Sequence, residues 1–467
     1  MFIWGIIMQT DTISAIATAP GSGGIGIIRI SGSRALQVAE AVFQARSGKS
    51  LSKLKNYQAT YGNLLRQDGS VIDEAIALVM RAPHSYTTED VVELQCHGGS
   101  LPLREALRAT YEAGARPAEP GEFTKRAFLG GRLDISQAQA VMDVIEAKTS
   151  RALALATGHL AGHFSGVIGA AREELLAAIA HIEATIDFPE DGVDEVVADE
   201  VRLTIEKLRE RFSKLLKTAM TGRIMREGLI TAIVGKPNVG KSSLLNALLR
   251  EERAIVTDIP GTTRDAIEEY ADIGGVPLRI IDTAGIRATK DAVERIGVER
   301  AKEYLEKAQL VLALFDGSRP LDAEDEEIIS LLPGREVLVL ITKADLPQIF
   351  SKEVLKKRIQ GAKIISLTAK GEQADLTELT DAITAFAYGG IDRTDEQEFL
   401  RDEREAEILR RADTHLAQAL TTISAGLGLD FLSIDLRSAW EALGELTGET
   451  IGDDIVDKIF STFCIGK

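Results

Sequence analysis

The sequence predicts a multidomain chain of mixed α/β plus α class. An N-terminal α+β domain is expected first, then a discontinuous helical domain into which an α/β domain is inserted. Three observations predict this. GKPNVGKSS (235–243) lies between an apolar β-branched run and a helix-spaced set of leucines. Long amphipathic patterns begin at Asp134 and return from about residue 395, on either side of that α/β stretch. Short β-branched runs mixed with helical stretches fill residues 9–125. A length of 467 residues suits about three domains, and the expected segments are 1–125, 126–221, 222–388 and 389–467.

The α+β assignment rests on TISAIATA, IGIIRIS, EAIALVM and DVVELQCHG as strands, with SRALQVAEAVF as a helix. Within it GSGGIG (21–26) matches a dinucleotide-binding fingerprint in letters only. The residues that follow are IIRIS, a strand pattern, and no acidic residue stands at the ribose distance, so the match is rejected. The apolar start MFIWGIIM lacks basic residues and is too short to span a bilayer; Met8 reads as the more natural beginning. A cytoplasmic protein without a membrane segment is expected.

The helical reading starts at SQAQAVMDVIEA, where Ser136 and Gln139 fit a capping box and Ile135, Ala138, Met142 and Ile145 share a face. AREELLAAIAHIEATI (171–186) repeats the pattern until Pro189 stops it. In residues 201–220, Val201, Ile205, Leu208, Phe212 and Leu215 form one stripe. ILRRADTHLAQALTTI and FLSIDLRSAWEALGELTG continue this texture beyond the α/β stretch.

G-x-x-x-x-G-K-S alone also describes a glycine turn before a helix. Strand, loop and helix in that order select a phosphate cradle instead. Backbone N–H groups of Asn238, Val239, Gly240, Lys241, Ser242 and Ser243 would face the phosphates, helped by the helix N-terminus. Lys241 would bridge the β- and γ-phosphates, and Ser242 would offer its hydroxyl to Mg²⁺. Downstream, IPGTTRD (259–265) would bring Thr263 onto Mg²⁺. LRIIDTAG (278–285) ends a strand in D-x-x-G, where Asp282 would hold the metal through water and the Gly285 N–H would sense the γ-phosphate. The nucleotide-contacting set therefore also takes in Thr257, Asp258, Ile259, Pro260, Gly261 and Thr262, and Thr283 and Ala284. VLVLITKAD (337–345) supplies base recognition through Thr342, Lys343, Ala344 and Asp345. The Asp345 carboxylate can accept from N1–H and the 2-amino group of guanine, a pair that adenine lacks. Lys343 would lie over the base, and Thr368, Ala369 and Lys370 would cover its O6 side. The four motifs in this order specify a Ras-like P-loop GTPase domain. Thr342 stands where asparagine is commoner, and the loss of a bracing amide at the guanine site is expected.

Composition sets limits. The net charge of −17 opposes broad, non-specific adhesion to nucleic acid. Cys96 and Cys464 fit neither a zinc pattern nor a disulfide framework. Cys464, in an apolar tail, reads first as a buried small hydrophobe.

The outer motifs carry a resemblance. GGIGIIRISG, YTTEDVVELQCHGG, AEPGEFTKRAFLGGRLD, IDFPED, VERIGVERA and the terminal FCIGK accompany the central GTPase motifs. Together they resemble the MnmE (TrmE) tRNA-modification GTPases over residues 9–467. The resemblance implies an N-terminal folate-binding domain that forms a homodimer. It implies work with an FAD-dependent, MnmG-like partner in a hetero-oligomer, which places an aminomethyl or carboxymethylaminomethyl group on carbon five of the tRNA wobble uridine. The carbon would come from a tetrahydrofolate derivative. By the same resemblance folate contacts fall on Arg29, Glu93, Arg132 and Lys467, where a carboxylate can pair with pterin donors and cations with the glutamate tail. From alternation alone, Glu93 reads instead as the solvent face of a strand, and Arg132 stands where lysine is common.

Residue 286 is Ile, so the water-orienting glutamine of Ras-like enzymes is missing. The resemblance implies K⁺ in the place of an arginine finger, held by Asn238 and by groups around Thr257, Ile259 and Thr262. Glu294 matches the family's water-positioning glutamate and reads equally as an exposed helix residue. Two other functions fit parts of the chain: a GTP-switched RNA or ribosome assembly factor, and a free-standing one-carbon transferase regulated by the GTPase domain. The first would carry a basic appendage; the second would bind folate through residues 1–125 alone.

Overall fold

The computed structural model describes residues 11–188, 193–251, 269–281, 305–368, 375–389 and 399–467. The chain divides into two compact units. One holds the N-terminal residues to Met142 together with Gly444–Lys467; the other holds the intervening helices and the second sheet.

In the first unit seven strands form one sheet in the order β3-β4-β5-β6-β2-β1-β7. They are β1 (Ile13–Ile16), β2 (Gly23–Ser31), β3 (Phe43–Ala45), β4 (Gln58–Leu65), β5 (Val71–Met80), β6 (Val91–Gly98) and β7 (Arg116–Pro117). All pairings are antiparallel except β1 with β7. Period-2 alternation sends Ile28, Ile30, Val92 and Leu94 into a core shared with α1 (Ala35–Val42) and α2 (Ser100–Glu112). β2 takes in Gly23, Gly24 and Gly26 of GSGGIG, as the strand reading anticipated, and Gly26 is buried in this packing. A Cβ on Gly26 would come within 2.6 Å of the Leu103 side chain, so the glycine lets α2 close onto β2.

Two further helices follow, α3 (Glu122–Leu129) and α4 (Ile135–Glu146). The capping box of α4 lies two residues earlier than Ser136/Gln139. Asp134 Oδ1 accepts from Gln137 N at 2.8 Å, and Gln137 Oε1 accepts from Asp134 N at 3.0 Å. Both D-x-x-Q and S-x-x-Q fit the rule, and Asp134 precedes the first helical turn whereas Ser136 lies inside it and is buried. Ile145, assigned to the apolar face, is exposed. A C-terminal helix (Asp453–Phe460) brings Phe460 against Phe128, with ring centroids 6.1 Å apart and the rings tilted. Cys464 lies past that helix and is exposed, which corrects the buried assignment: the helix ends at Phe460, so its periodic apolar face does not extend to residue 464.

In the second unit α5 (Ser150–Leu160), α6 (His163–Asp187), α7 (Val193–Lys217) and α8 (Ala219–Glu227) precede a six-stranded sheet. Its strands are β8 (Leu229–Gly235), β9 (Glu269–Ile273), β10 (Val276–Ile281), β11 (Leu310–Asp316), β12 (Val337–Thr342) and β13 (Lys363–Ser366), ordered β13-β12-β11-β8-β10-β9. Only the β9 edge runs antiparallel. The sheet is covered on both faces, so β11 reads as a continuous apolar run. Leu310, Leu312 and Leu314 point to one core; Val311, Ala313 and Phe315 point to the other. The helices attached to this sheet are α9 (Lys241–Glu251), α10 (Ala323–Ser330), α11 (Lys352–Arg358) and α12 (Thr377–Tyr388). Beyond it come α13 (Glu403–Ser424) and α14 (Leu429–Thr447).

The two sets of helices pack on one another. Val201, Ile205, Leu208, Phe212 and Leu215 of α7 are buried, as are Leu409, Leu416 and Ala419 of α13. Arg209 of α7 holds Asp413 of α13 at 2.8 Å. The helical domain is thus discontinuous in sequence, with the α/β sheet inserted between its halves. Among the described residues no helix is long and apolar enough to cross a membrane.

Where the chain re-enters the helices, Arg401 donates to both oxygens of Asp143, at 2.5 and 3.1 Å. One turn into α13 lies Glu405, 1% exposed. One of its oxygens accepts from Arg401 N at 2.7 Å, while the other has no hydrogen-bond partner. Burial, and then the Asp402 charge, push its carboxyl up to about 8. With the carboxyl at 4.5 in the unfolded chain and about 8 in the fold, stability is full below 4.5 and is lost progressively as pH rises to about 8, where both states are ionised. The melting temperature is therefore expected to fall between pH 4.5 and about 8, and Glu405→Gln is expected to flatten that fall. Equal slopes for parent and variant would show that Glu405 is ionised in the fold.

Candidate functional site

The loop expected to cradle phosphate joins β8 to α9. β8 ends at Gly235 and α9 begins at Lys241. Gly235 is obligatory on two counts: φ is +157°, and a Cβ would lie 2.8 Å from Val239 Cγ1 and 2.9 Å from the Leu314 carbonyl. Asn238 adopts φ +62° and is exposed at the loop's bend. Val239 is buried and Gly240 turns the chain into the helix with φ +111°. Lys241 Nζ donates to the carbonyls of Gly235 (2.5 Å) and Lys236 (2.9 Å), which stands the ammonium over the loop. Ser242 and Ser243 lie exposed on the first turn of α9. A lysine ammonium held over a glycine loop at a helix N-terminus suits a polyphosphate, and an exposed serine beside it suits Mg²⁺.

The TKAD segment (342–345) meets this loop at the carboxyl ends of the parallel strands. Thr342 closes β12, and its hydroxyl donates to the Val239 carbonyl at 2.7 Å. The hydroxyl thus ties the TKAD segment to the 235–240 loop. Lys343, at φ +58°, places Nζ 2.5 Å from Asp316 Oδ2. Burial alone would raise the Asp316 carboxyl, but bonds from Lys343 and Ser318 hold it below the usual carboxylate range. Ala344 N approaches the Leu367 carbonyl at 3.4 Å, so Thr368 follows at the same rim, and Asp345 is exposed there. Asp316 was missed in the sequence; a carboxylate closing the buried run LVLALF was the available signal. Glu294, Thr257, Asp258, Ile259, Pro260, Gly261, Thr262, Thr263, Asp282, Thr283, Ala284, Gly285, Ala369 and Lys370 lie outside the described residues.

In the first unit a second group of polar side chains converges. Arg29 and Glu93 are cross-strand partners on β2 and β6. Arg29 Nε donates to Glu93 Oε1 at 3.0 Å, and a second guanidinium nitrogen lies 2.9 Å from the same oxygen. A third nitrogen reaches the Gly466 carbonyl at 3.2 Å. The tail is anchored by its backbone, with Phe123 N donating to the Lys467 carbonyl at 3.1 Å. Gly466 passes so close to β1 that a Cβ would lie 2.2 Å from the Ile16 carbonyl. Burial, followed by the Arg29 charge, pulls the Lys467 ammonium below its ordinary pKa. Arg132 donates to the Tyr86 carbonyl at 3.1 Å and lies 4.8 Å from that ring, which Arg29 approaches at 5.5 Å. Arg29, Glu93, Arg132 and Lys467 thus gather around Tyr86 and the chain end. Three cations and one carboxylate beside an aromatic ring suit a ligand with an anionic tail and a planar, donor-bearing head.

A cavity of about 700 Å³ in the same unit is lined by other residues, among them Thr87, Glu89, Lys125, Arg126 and Phe460. Its charged wall is a closed network. Arg126 reaches Glu122 at 2.7 Å, Glu89 at 3.1 Å and Asp11 at 2.9 Å.

Residues 12–132 match the family model described as the GTP-binding protein TrmE N-terminus, and residues 135–464 match the MnmE helical domain. Three relatives, each named tRNA modification GTPase MnmE, are similar over nearly the whole chain. That of Heliobacterium modesticaldum is 51% identical over 98% of this chain and 100% of its own. That of Symbiobacterium thermophilum is 52% identical over 98% and 100%. The Geobacillus kaustophilus protein is 46% identical over 98% and 100%.

Proposed function

This chain belongs to the MnmE family of tRNA modification GTPases, and from that premise we propose that it is the folate-binding, K⁺-stimulated subunit of a two-protein tRNA-modifying enzyme. The chain is a GTP hydrolase of tRNA modification. Its partner in the proposal is an FAD-dependent, MnmG-like protein, and its own N-terminal unit forms the homodimer. The substrate is the wobble uridine, modified at carbon five with a carbon from a tetrahydrofolate derivative, in the cytoplasm. The observation that supports this reading most directly is the meeting of Arg29, Glu93, Arg132 and Lys467 at one place, from four separate stretches of the chain.

In the proposed site Glu93 takes the pterin donors, while Arg29, Arg132 and Lys467 hold the anionic tail. In the GTPase domain Lys241 and the loop amides hold the phosphates, Ser242 and Thr263 hold Mg²⁺, and Glu294 positions water. Asn238, with Thr257, Ile259 and Thr262, holds K⁺, which when bound neutralises charge developing between the β- and γ-phosphates. The exposed, left-handed Asn238 at the bend of the loop supports that position. An assembly-factor function is the weaker reading, because the chain's net charge of −17 leaves little basic surface for bulk RNA.

Hydrolysis in KCl is expected to exceed that in NaCl at equal ionic strength by about tenfold or more, and Asn238→Ala is expected to remove the difference. Equal rates in the two salts would sink the potassium mechanism and reopen the assembly-factor reading.

A further inference from the structure

The cradle holds a second lysine that the GTPase motifs leave unassigned. Lys236 follows Gly235 directly and is 4% exposed. Its Nζ lies 2.6 Å from Asp322 Oδ2 and 2.6 Å from Asp325 Oδ2. Those carboxylates form the capping box of α10: Asp322 accepts from Glu324 N and Asp325 N, while Asp325 returns a bond to Asp322 N. Asp325 is 2% exposed, and Asp322 faces solvent on one side. The backbone of Lys236 points the other way. Its carbonyl accepts from Lys241 Nζ at 2.9 Å and from Val239 N at 3.4 Å. One residue therefore joins the cap of a helix to the carbonyl on which the phosphate-binding lysine rests.

We propose that Lys236 is a positioning residue for GTP hydrolysis: its ammonium, clamped between Asp322 and Asp325, fixes the loop carbonyls that set the height of Lys241 over the phosphates. A buried ion pair is weak evidence for stability as such, since a well-packed apolar pair often serves as well. An apolar pair cannot, however, draw the loop backbone toward α10 with two directed bonds. The bond from Lys236 is the first cause holding the Asp322 carboxyl below its ordinary pKa. A displacement of about 1 Å in a catalytic group can lower turnover on the order of 100-fold, so a modest shift of this carbonyl is enough.

The inference rests on the reading of the chain as a GTP hydrolase, and turnover by the full-length parent checks that separately. Should the parent turn over no GTP, the hydrolase reading fails and GDP affinity alone decides the role of Lys236. Lys236→Met is expected to lower kcat by about tenfold or more and GDP affinity by about the same factor, while Lys236→Arg retains most of both. Lys236→Met/Asp325→Leu replaces the pair by apolar groups. It is expected to recover the melting temperature without recovering kcat, a split that a purely structural lysine would not produce. If Lys236→Met proves unstable, Asp322→Asn keeps a good helix cap and removes one charge of the clamp. A kcat about threefold lower at unchanged melting temperature is then expected. The proposal is overturned if kcat and GDP affinity of the folded Lys236→Met stay within about twofold of the parent. It is equally overturned if the double variant regains turnover together with stability, or if Asp322→Asn turns over like the parent.

Discussion

Replacing Asp345 by asparagine is expected to lower kcat/KM for GTP by about a thousandfold or more and to make xanthosine triphosphate the better substrate. In the proposed site the carboxylate would accept two hydrogen bonds from guanine, at N1–H and the 2-amino group. An amide presents one acceptor and one donor, so one guanine donor faces another donor. Xanthine carries a carbonyl at that carbon and restores the pairing. Asp345 stands exposed at the end of the segment that Thr342 ties to the cradle, so the substitution leaves the brace and the sheet in place. Steady-state kinetics with the two nucleotides decides the matter. An unchanged preference for GTP would remove Asp345 from base recognition.

Glu93→Ala is expected to weaken binding of 5-formyltetrahydrofolate to the full chain by about 100-fold, read by calorimetry. Two effects combine. The pterin loses its acceptor, and Arg29, 16% exposed in its side chain, loses the carboxylate that aligns it. Breaking so enclosed a pair costs up to about 3 kcal/mol after allowance for its partial exposure. A lower melting temperature therefore accompanies the lost binding. Glu93→Gln keeps an acceptor and separates the effects: folate affinity is expected to recover in part, because the amide oxygen still accepts from the pterin. Full folate affinity in Glu93→Ala would leave Glu93 as a sheet residue that only braces Arg29.

Much of this molecule is local and was legible without coordinates. The cradle follows from φ requirements at Gly235 and Gly240, a β-branched run before them and a leucine-spaced helix after them. The stripe of α7 follows from helical periodicity alone, and each of its five residues is buried. The rejection of GSGGIG followed from a strand pattern where a helix was needed, and β2 runs through it. Where local rules overlapped, the sequence reading chose wrongly. It placed the capping box of α4 on Ser136 and Gln139, whereas the structure puts it on Asp134 and Gln137. The end of the last helix decided the exposure of Cys464.

By itself, then, the amino-acid order determined the classes of element and the strand, loop and helix of residues 229–251, because each depends on a few neighbouring side chains. Tertiary structure alone decided which distant groups meet. Arg29 and Glu93 are 64 positions apart and pair only through the β2–β6 register, which carries no signature in either strand. Arg29 and Gly466, 437 positions apart, meet because a tail without regular structure docks where only glycine fits. Lys236 finds its carboxylates 86 and 89 residues onward, across the carboxyl end of a parallel sheet. Chain closure over such distances is set by packing and register, and no local pattern of residues encodes it.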